Sequence, residues 1–233
     1  REAESMIKAV FFDIDDTLFT FRAGHAAAMR AVCGFARREL GIPEEEFGLA
    51  YDRELQNMER QVGAQAAAHN RMIRFLRILL SYGKPVSFAP VLNELYWNTV
   101  LSAGQAEPEA RTCVRSLREQ GYYLGIASNM TLDWQLRKLE KIGLLPCFHR
   151  IVVSEEVGTE KPERAFFDFC IRESGFRPEE CLMVGDNLDL DILGAERAGM
   201  PALWYTVPEN LSRHPGFSHY RELAGKIHAL QHI

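Results

Sequence analysis

Val10-Phe11-Phe12-Asp13-Ile14-Asp15-Asp16-Thr17-Leu18 is an apolar run that ends abruptly in three carboxylates and a hydroxyl. The residues from Ile7 to Phe12 are rich in aromatic and β-branched types and read as a buried strand of a parallel sheet. The acids begin where that strand should stop. In open α/β sheets, ligand chemistry sits at this carboxyl end of the strands.

Downstream, residues with helical spacing fill Ala26 to Leu40, Glu44 to Gln61, Ala64 to Tyr82 and Phe88 to Leu101. Gly41-Ile42-Pro43, Val62-Gly63 and Gly83-Lys84-Pro85 separate them, and no strand signal interrupts the series. Four consecutive helices are out of place between the strands of a parallel sheet. Residues 20–104 are therefore expected to form an inserted helical domain, a lid over the acidic strand end, and residues 6–19 with 105–233 the α/β core.

From Pro108 the pattern alternates. Helices are expected at Glu109 to Gln120, Leu132 to Ile142, Pro162 to Ser174, Asp189 to Ala198 and Tyr220 to Leu230. Strands are expected at Tyr122 to Ala127, Arg150 to Val153, Cys181 to Val184 and Ala202 to Tyr205. Thr131 reads as the N-cap of the second of these helices. The fold expected is a Rossmann-like, doubly wound parallel sheet with an all-helical insertion.

Parallel strands aim their carboxyl ends at one rim, so Asp13, Asp15, Ser128 and Asp186 should converge. Lys161, in Gly158-Thr159-Glu160-Lys161-Pro162, falls at an expected helix start, where a cation is unfavourable unless an anion compensates it. Converging carboxylates repel unless a divalent cation lies between them. An oxygen-only donor set with no His or Cys points to Mg2+.

The segment Phe11-Phe12-Asp13-x-Asp15-x-Thr17-Leu18, with Ser128, Lys161 and the Gly185-Asp186-x-x-x-x-Asp191 pattern, resembles the four motifs of the haloacid dehalogenase superfamily in the right order. The helical insertion behind the first motif resembles that family's first cap class. The resemblance implies that Asp13 attacks phosphorus to form an aspartyl-phosphate, while Asp15 protonates the leaving alcohol and later takes a proton from water. It places Mg2+ on Asp13, Asp186 and the backbone carbonyl of Asp15. Lys161 would offset the negative charge, and Thr17, Ser128 and Asn129 would hold phosphate oxygens or the loop around them. Asp191 would orient the metal ligands or Lys161. A dehalogenase would lack an acid at the Asp15 position, so a phosphatase is expected.

Asp-Asp-Thr-Leu-Phe-Thr-Phe and Ser-Glu-Glu-Val-Gly-x-x-Lys-Pro look most like nucleoside 5'-monophosphatases and N-acylneuraminate-9-phosphatases of that family. The implied substrate is a small phosphomonoester, with a nucleotide 5'-monophosphate slightly ahead of a sugar phosphate. A phosphomutase and a non-catalytic binding protein of the same fold are the competing readings. The first needs a lid acid/base that no residue supplies by name, and the second would normally have lost an acid or the lysine. The turn Gln61 to Gln65 is a candidate lid loop, and Arg22, Arg53 and Arg71 read as solvated cations unless an anionic substrate meets them.

Composition excludes other classes. A net charge of -5 argues against a nucleic-acid polymer as partner, which calls for a basic surplus. Five widely spaced cysteines without a Cys-x-x-Cys pair suggest reduced thiols and a cytoplasmic protein; a monomer or homodimer is expected. No apolar run approaches the roughly 18 residues that span a bilayer, so no membrane partner is expected. Arg1 to Ser5 reads as a polar, disordered leader before a natural start at Met6.

Overall fold

The computed structural model describes residues 6–63 and 65–230. The leader reading of residues 1–5 lies outside the described residues, as does Ala64 of the expected lid turn. The chain divides into two compact units: residues up to Thr20 together with those from Ala106 onward, and Phe21–Gln105.

Strand β1 (Ala9–Phe12) is buried at every position. The second unit follows, with α1 (Phe21–Phe35), α2 (Glu44–Val62), α3 (Arg71–Ser81) and α4 (Phe88–Ala103). A π-helical turn, Ala36–Leu40, extends α1 and stops at Gly41, whose φ of 65° suits glycine. Helix α2 opens with Glu44, Glu45 and Glu46, favourable at the positive end of the helix dipole. The single helix expected from Ala64 to Tyr82 is broken. A 3-10 turn (Ala66–His69) precedes α3, and between them the Asn70 side chain accepts the Ile73 N–H at 3.1 Å. An asparagine that bonds the backbone locally competes with helix and caps it instead. Inside this unit the rings of Tyr51, Phe75 and Tyr96 pack together, and the buried Arg74 guanidinium lies 4.6 Å from the Tyr51 ring. Arg71 is not a freely solvated cation: its guanidinium lies 5.4 Å from the Trp97 ring.

The first unit resumes with α5 (Ala110–Glu119), β2 (Tyr123–Ser128), α6 (Leu132–Lys141), β3 (Arg150–Val153), a single-turn α7 (Ser154–Val157) and α8 (Arg164–Ser174). Then come β4 (Cys181–Gly185), a π turn (Leu188–Ile192) leading into α9 (Leu193–Arg197), β5 (Ala202–Tyr205), β6 (Gly216–Phe217) and α10 (Leu223–Leu230). The two-residue β6 is too short to leave an alternating sequence pattern.

The six strands are all parallel in the order β3-β2-β1-β4-β5-β6. The chain winds outward from β1 to β3, then returns to lay β4 on the other flank of β1. That reversal opens a crevice beyond the carboxyl ends of β1 and its neighbours, where such sheets bind ligands. The doubly wound parallel α/β fold is thus established. Phe12 pairs with Ile126 on one side and Val184 on the other, so the residues just beyond all three strands emerge at one level. Phe11 lies in a core with Phe166, Phe167, Met183 and Trp204.

All five cysteines are free thiols. Among the described residues, no helix is long and apolar enough to cross a membrane.

Candidate active site

The chain leaves β1 through a tight turn in which Asp16 takes a φ of 57°, a conformation that aspartate tolerates better than most residues. The Asp16 N–H donates to Phe19 O at 2.7 Å, and the Leu18 N–H to Ile14 O at 2.9 Å. This loop presents Asp13 at the end of the buried strand and Asp15 beside it. The Asp13 N–H still donates to Val184 O of β4, so Asp13 is the last residue held by the sheet.

Lys161 is the centre of the arrangement. Its buried Nζ donates to Asp13 Oδ1 at 2.8 Å, to Asp191 Oδ1 at 2.6 Å and to the Ala127 carbonyl at the end of β2 at 2.8 Å. Three acceptors for three ammonium protons satisfy the group completely. Lys161 is not at a helix start, because α8 begins only at Arg164, but the compensating anions are present. Asn129 holds the lysine backbone from both sides: its Oδ1 accepts the Lys161 N–H at 2.7 Å and its Nδ2 donates to the Lys161 carbonyl at 2.8 Å. With both ends of the amide engaged, what Asn129 holds is the loop.

Burial, followed by the nearby Asp191 and Asp15 carboxylates, pushes Asp13 up to about 7 against the lowering effect of Lys161. Burial alone would lower Lys161. The Asp13 and Asp191 carboxylates outweigh it and hold the ammonium above the usual lysine range.

Beyond β4, Asp191 completes its bonding by accepting the Asn187 N–H on Oδ2 at 3.0 Å. Gly185 makes this possible, since a Cβ there would lie 2.3 Å from Asp191 Oδ2. The helix cap in this segment is Asn187, whose side chain accepts the N–H groups of Asp189 and Leu190. Thr17 Oγ1 donates to Asp186 Oδ1 at 3.4 Å, joining the β1 loop to the β4 loop. Two aromatic donors fix these loops from behind: Tyr220 OH donates to Thr17 O and Trp204 Nε1 to Asp186 O, both at 2.7 Å.

Carboxylate oxygens of Asp13, Asp186 and Asp191 lie within 4.8 Å of one another. An all-oxygen set of this spacing fits a small hard divalent cation such as Mg2+. Because Asp191 is bonded to Lys161 and Asn187, Asp13 and Asp186 are the side chains that would hold it.

Two residues of this rim were not foreseen. Lys138 Nζ donates to Asp15 Oδ1 at 2.6 Å, and Gln135 Nε2 donates to Ser128 Oγ at 2.6 Å. Both lie fully buried on the inner face of α6. The spacing of Gln135, Lys138, Leu139 and Ile142 puts two polar residues on an otherwise apolar stripe, a signal present in the sequence. Thr131 occupies the N-cap position of α6 without a side-chain bond, and Glu155 Oε2 accepts the Leu132 N–H in its place at 2.8 Å.

A buried carboxylate at a strand end, a second acid beside it, a buried ammonium and a cluster of carboxylate oxygens at a doubly wound switch point form an arrangement suited to phosphoryl transfer. The chain matches the haloacid dehalogenase-like hydrolase family model over residues 7–199. It is 34% identical over 212 residues to the ribulose-1,5-bisphosphate 5-phosphatase of Halopiger xanaduensis, covering 88% of this chain and 87% of that protein. It is 30% identical over 220 residues to the pyrimidine 5'-nucleotidase PynA of Streptococcus pneumoniae, covering 89% and 86%. The magnesium-bound crystal structure of the HAD-hydrolase YfnB from Bacillus subtilis superposes with a TM-score of 0.74 at 25% identity, covering 96% of this chain and 99% of that one. The chain belongs to the haloacid dehalogenase-like hydrolase family and is a phosphoric monoester hydrolase of that family.

Proposed function

We propose that this chain is a Mg2+-dependent phosphatase that cleaves a small phosphorylated metabolite through an aspartyl-phosphate on Asp13. The observation that carries the reading is the buried Lys161 ammonium bonded to both Asp13 and Asp191, with Asp15 on the same loop. A buried cation held this way offsets negative charge where a phosphate oxygen and a carboxylate must meet.

A carboxylate oxygen of Asp13 attacks phosphorus as the bond to the leaving oxygen breaks, and Asp15 delivers a proton to that oxygen. Asp15, now a carboxylate, takes a proton from water. The resulting hydroxide oxygen bonds to phosphorus, and the bond between phosphorus and Asp13 breaks to release inorganic phosphate. Ser128 offers its hydroxyl to a phosphate oxygen, freed to donate because Gln135 donates to it. Asn129 and Thr17 hold the loops. Asp13, Asp186 and the Asp15 carbonyl would hold the cation, which when bound supplies positive charge to the carboxylates and phosphate oxygens. The helical unit is read as the cap of this family.

As substrate, a sugar phosphate is put first and a nucleoside 5'-monophosphate second. The Halopiger relative is named for a sugar bisphosphate, and the less similar Streptococcus relative for pyrimidine nucleotides.

The test is phosphate release from p-nitrophenyl phosphate and from a panel of sugar phosphates and nucleotides with Mg2+. Turnover should vanish in EDTA, return with Mg2+, and be lost in Asp13→Asn. Activity that persists in EDTA or in Asp13→Asn overturns the reading.

A further inference from the structure

We propose that Lys138 is a positioning residue for proton transfer: it locks the Asp15 carboxyl so that one oxygen, Oδ2, faces the leaving group. The inference rests on the assignment of Asp15 as proton donor made above.

Asp15 is the exposed member of the acid pair, with a quarter (25%) of its side chain open to solvent, whereas the Lys138 side chain is 0% exposed. An aspartate at a solvent boundary ordinarily samples several rotamers, with water competing for both oxygens. Here a charge-assisted bond of 2.6 Å holds Oδ1. Because an ammonium only donates, it takes the carbonyl-type oxygen of the carboxyl as its acceptor and leaves the transferable proton to the other oxygen. That proton must therefore sit on Oδ2. When the bond from phosphorus to the leaving oxygen breaks, its electron pair stays on that oxygen. The O–H bond at Asp15 Oδ2 breaks and a new one forms on the leaving group.

The anchor is rigid. The Lys138 stem lies on the buried face of α6 beside Leu139, and its Nζ is 5.9 Å from the Phe19 ring centroid. One turn earlier on the same face, Gln135 fixes the Ser128 hydroxyl. Helix α6 thus places two polar side chains into the site at i and i+3, one on the phosphate-binding serine and one on the proton donor.

General acid catalysis matters most when the leaving oxygen is a poor leaving group. An alkyl phosphate needs the proton, whereas p-nitrophenolate leaves without it. The experiment compares kcat/KM, which reports steps only through alcohol release, for p-nitrophenyl phosphate and for the alkyl phosphate the wild type turns over fastest. Lys138→Met should lower the alkyl value about 100-fold and the p-nitrophenyl value less than about tenfold. Lys138→Arg should recover most of the difference. In an Asp15→Asn background, Lys138→Met should cost less than about threefold more, because the two residues act as one unit. Should Lys138→Met melt below the assay temperature, Lys138→Gln repeats the comparison.

Equal losses on both substrates, or a full further loss in Asp15→Asn, overturn the role of Lys138. A raised KM with the leaving-group ratio unchanged also overturns it, in favour of direct substrate binding. If Asp15→Asn itself leaves alkyl phosphate turnover intact, it is the assignment of Asp15 that fails.

Discussion

Lys161 illustrates why a buried cation in this site is costly to lose. Its Nζ satisfies two carboxylates that are themselves shielded from water, so removing it strands both charges. Lys161→Met keeps the volume and deletes the charge. We expect it to destabilise the metal-free protein by about 3 to 5 kcal/mol, read from the urea midpoint, and to abolish turnover. Wild-type stability in that variant would mean that Asp13 and Asp191 find other partners. Lys161 stands out in the sequence by its place just ahead of an expected helix, Asp13 and Asp186 by following apolar strands, and Asp191 only through the resemblance to the family's fourth motif. The stripe of Gln135, Lys138, Leu139 and Ile142 is visible in the sequence, but nothing in a single helix shows what its two polar members bond. That is decided by what packs against it.

Among the elements, β2 and β1 are packed close to the limit. A Cβ on Gly125 would lie 2.4 Å from the Phe11 ring, closer than any side chain accepts, so Gly125→Ala should cost about 1 to 3 kcal/mol by forcing that ring aside. Equal melting of variant and wild type would show that Phe11 can move freely. At the other end of β1, Lys8 Nζ lies 2.7 Å from Glu180 Oε1, and the Arg177 N–H donates to Glu180 Oε2 at 2.9 Å, tying the start of β1 to the start of β4. The Lys8 bond first, then those from Arg177, lowers Glu180 from 4.5 to about 2. A depressed carboxyl contributes stability above its unfolded value and loses it as pH falls toward the folded one. The difference in melting temperature between wild type and Glu180→Gln should therefore hold steady near neutral pH and fade between pH 4.5 and 2. A difference that grows on acidification would contradict this. Most elements were legible from period and punctuation. The break at Asn70, the π turns beside Leu40 and Leu188, and the short β6 were not, since each depends on a few backbone bonds rather than on a repeating pattern.

Taken as one molecule, the protein assembles its proposed cation site from residues that only folding unites: Asp13 follows β1 and Asp186 follows β4. A ligand that binds only the native state stabilises it by mass action. Mg2+ at about a hundredfold its dissociation constant should add about 2.7 kcal/mol, which in a chain of this size raises the melting temperature by roughly 5 to 10 °C. The shift should vanish on adding EDTA and in Asp186→Asn. A shift that survives Asp186→Asn would place the cation elsewhere. The sequence alone determined the doubly wound sheet, the four motifs and the acids that should meet, because strand and helix periods and the end of an apolar run are local properties. Only the tertiary structure decided that Asn129 is spent on the Lys161 backbone, that Asp191 is bonded to Lys161 and Asn187, and that Lys138 stands behind Asp15. Those pairings join residues far apart in the chain, and no local pattern records which distant donor reaches which acceptor.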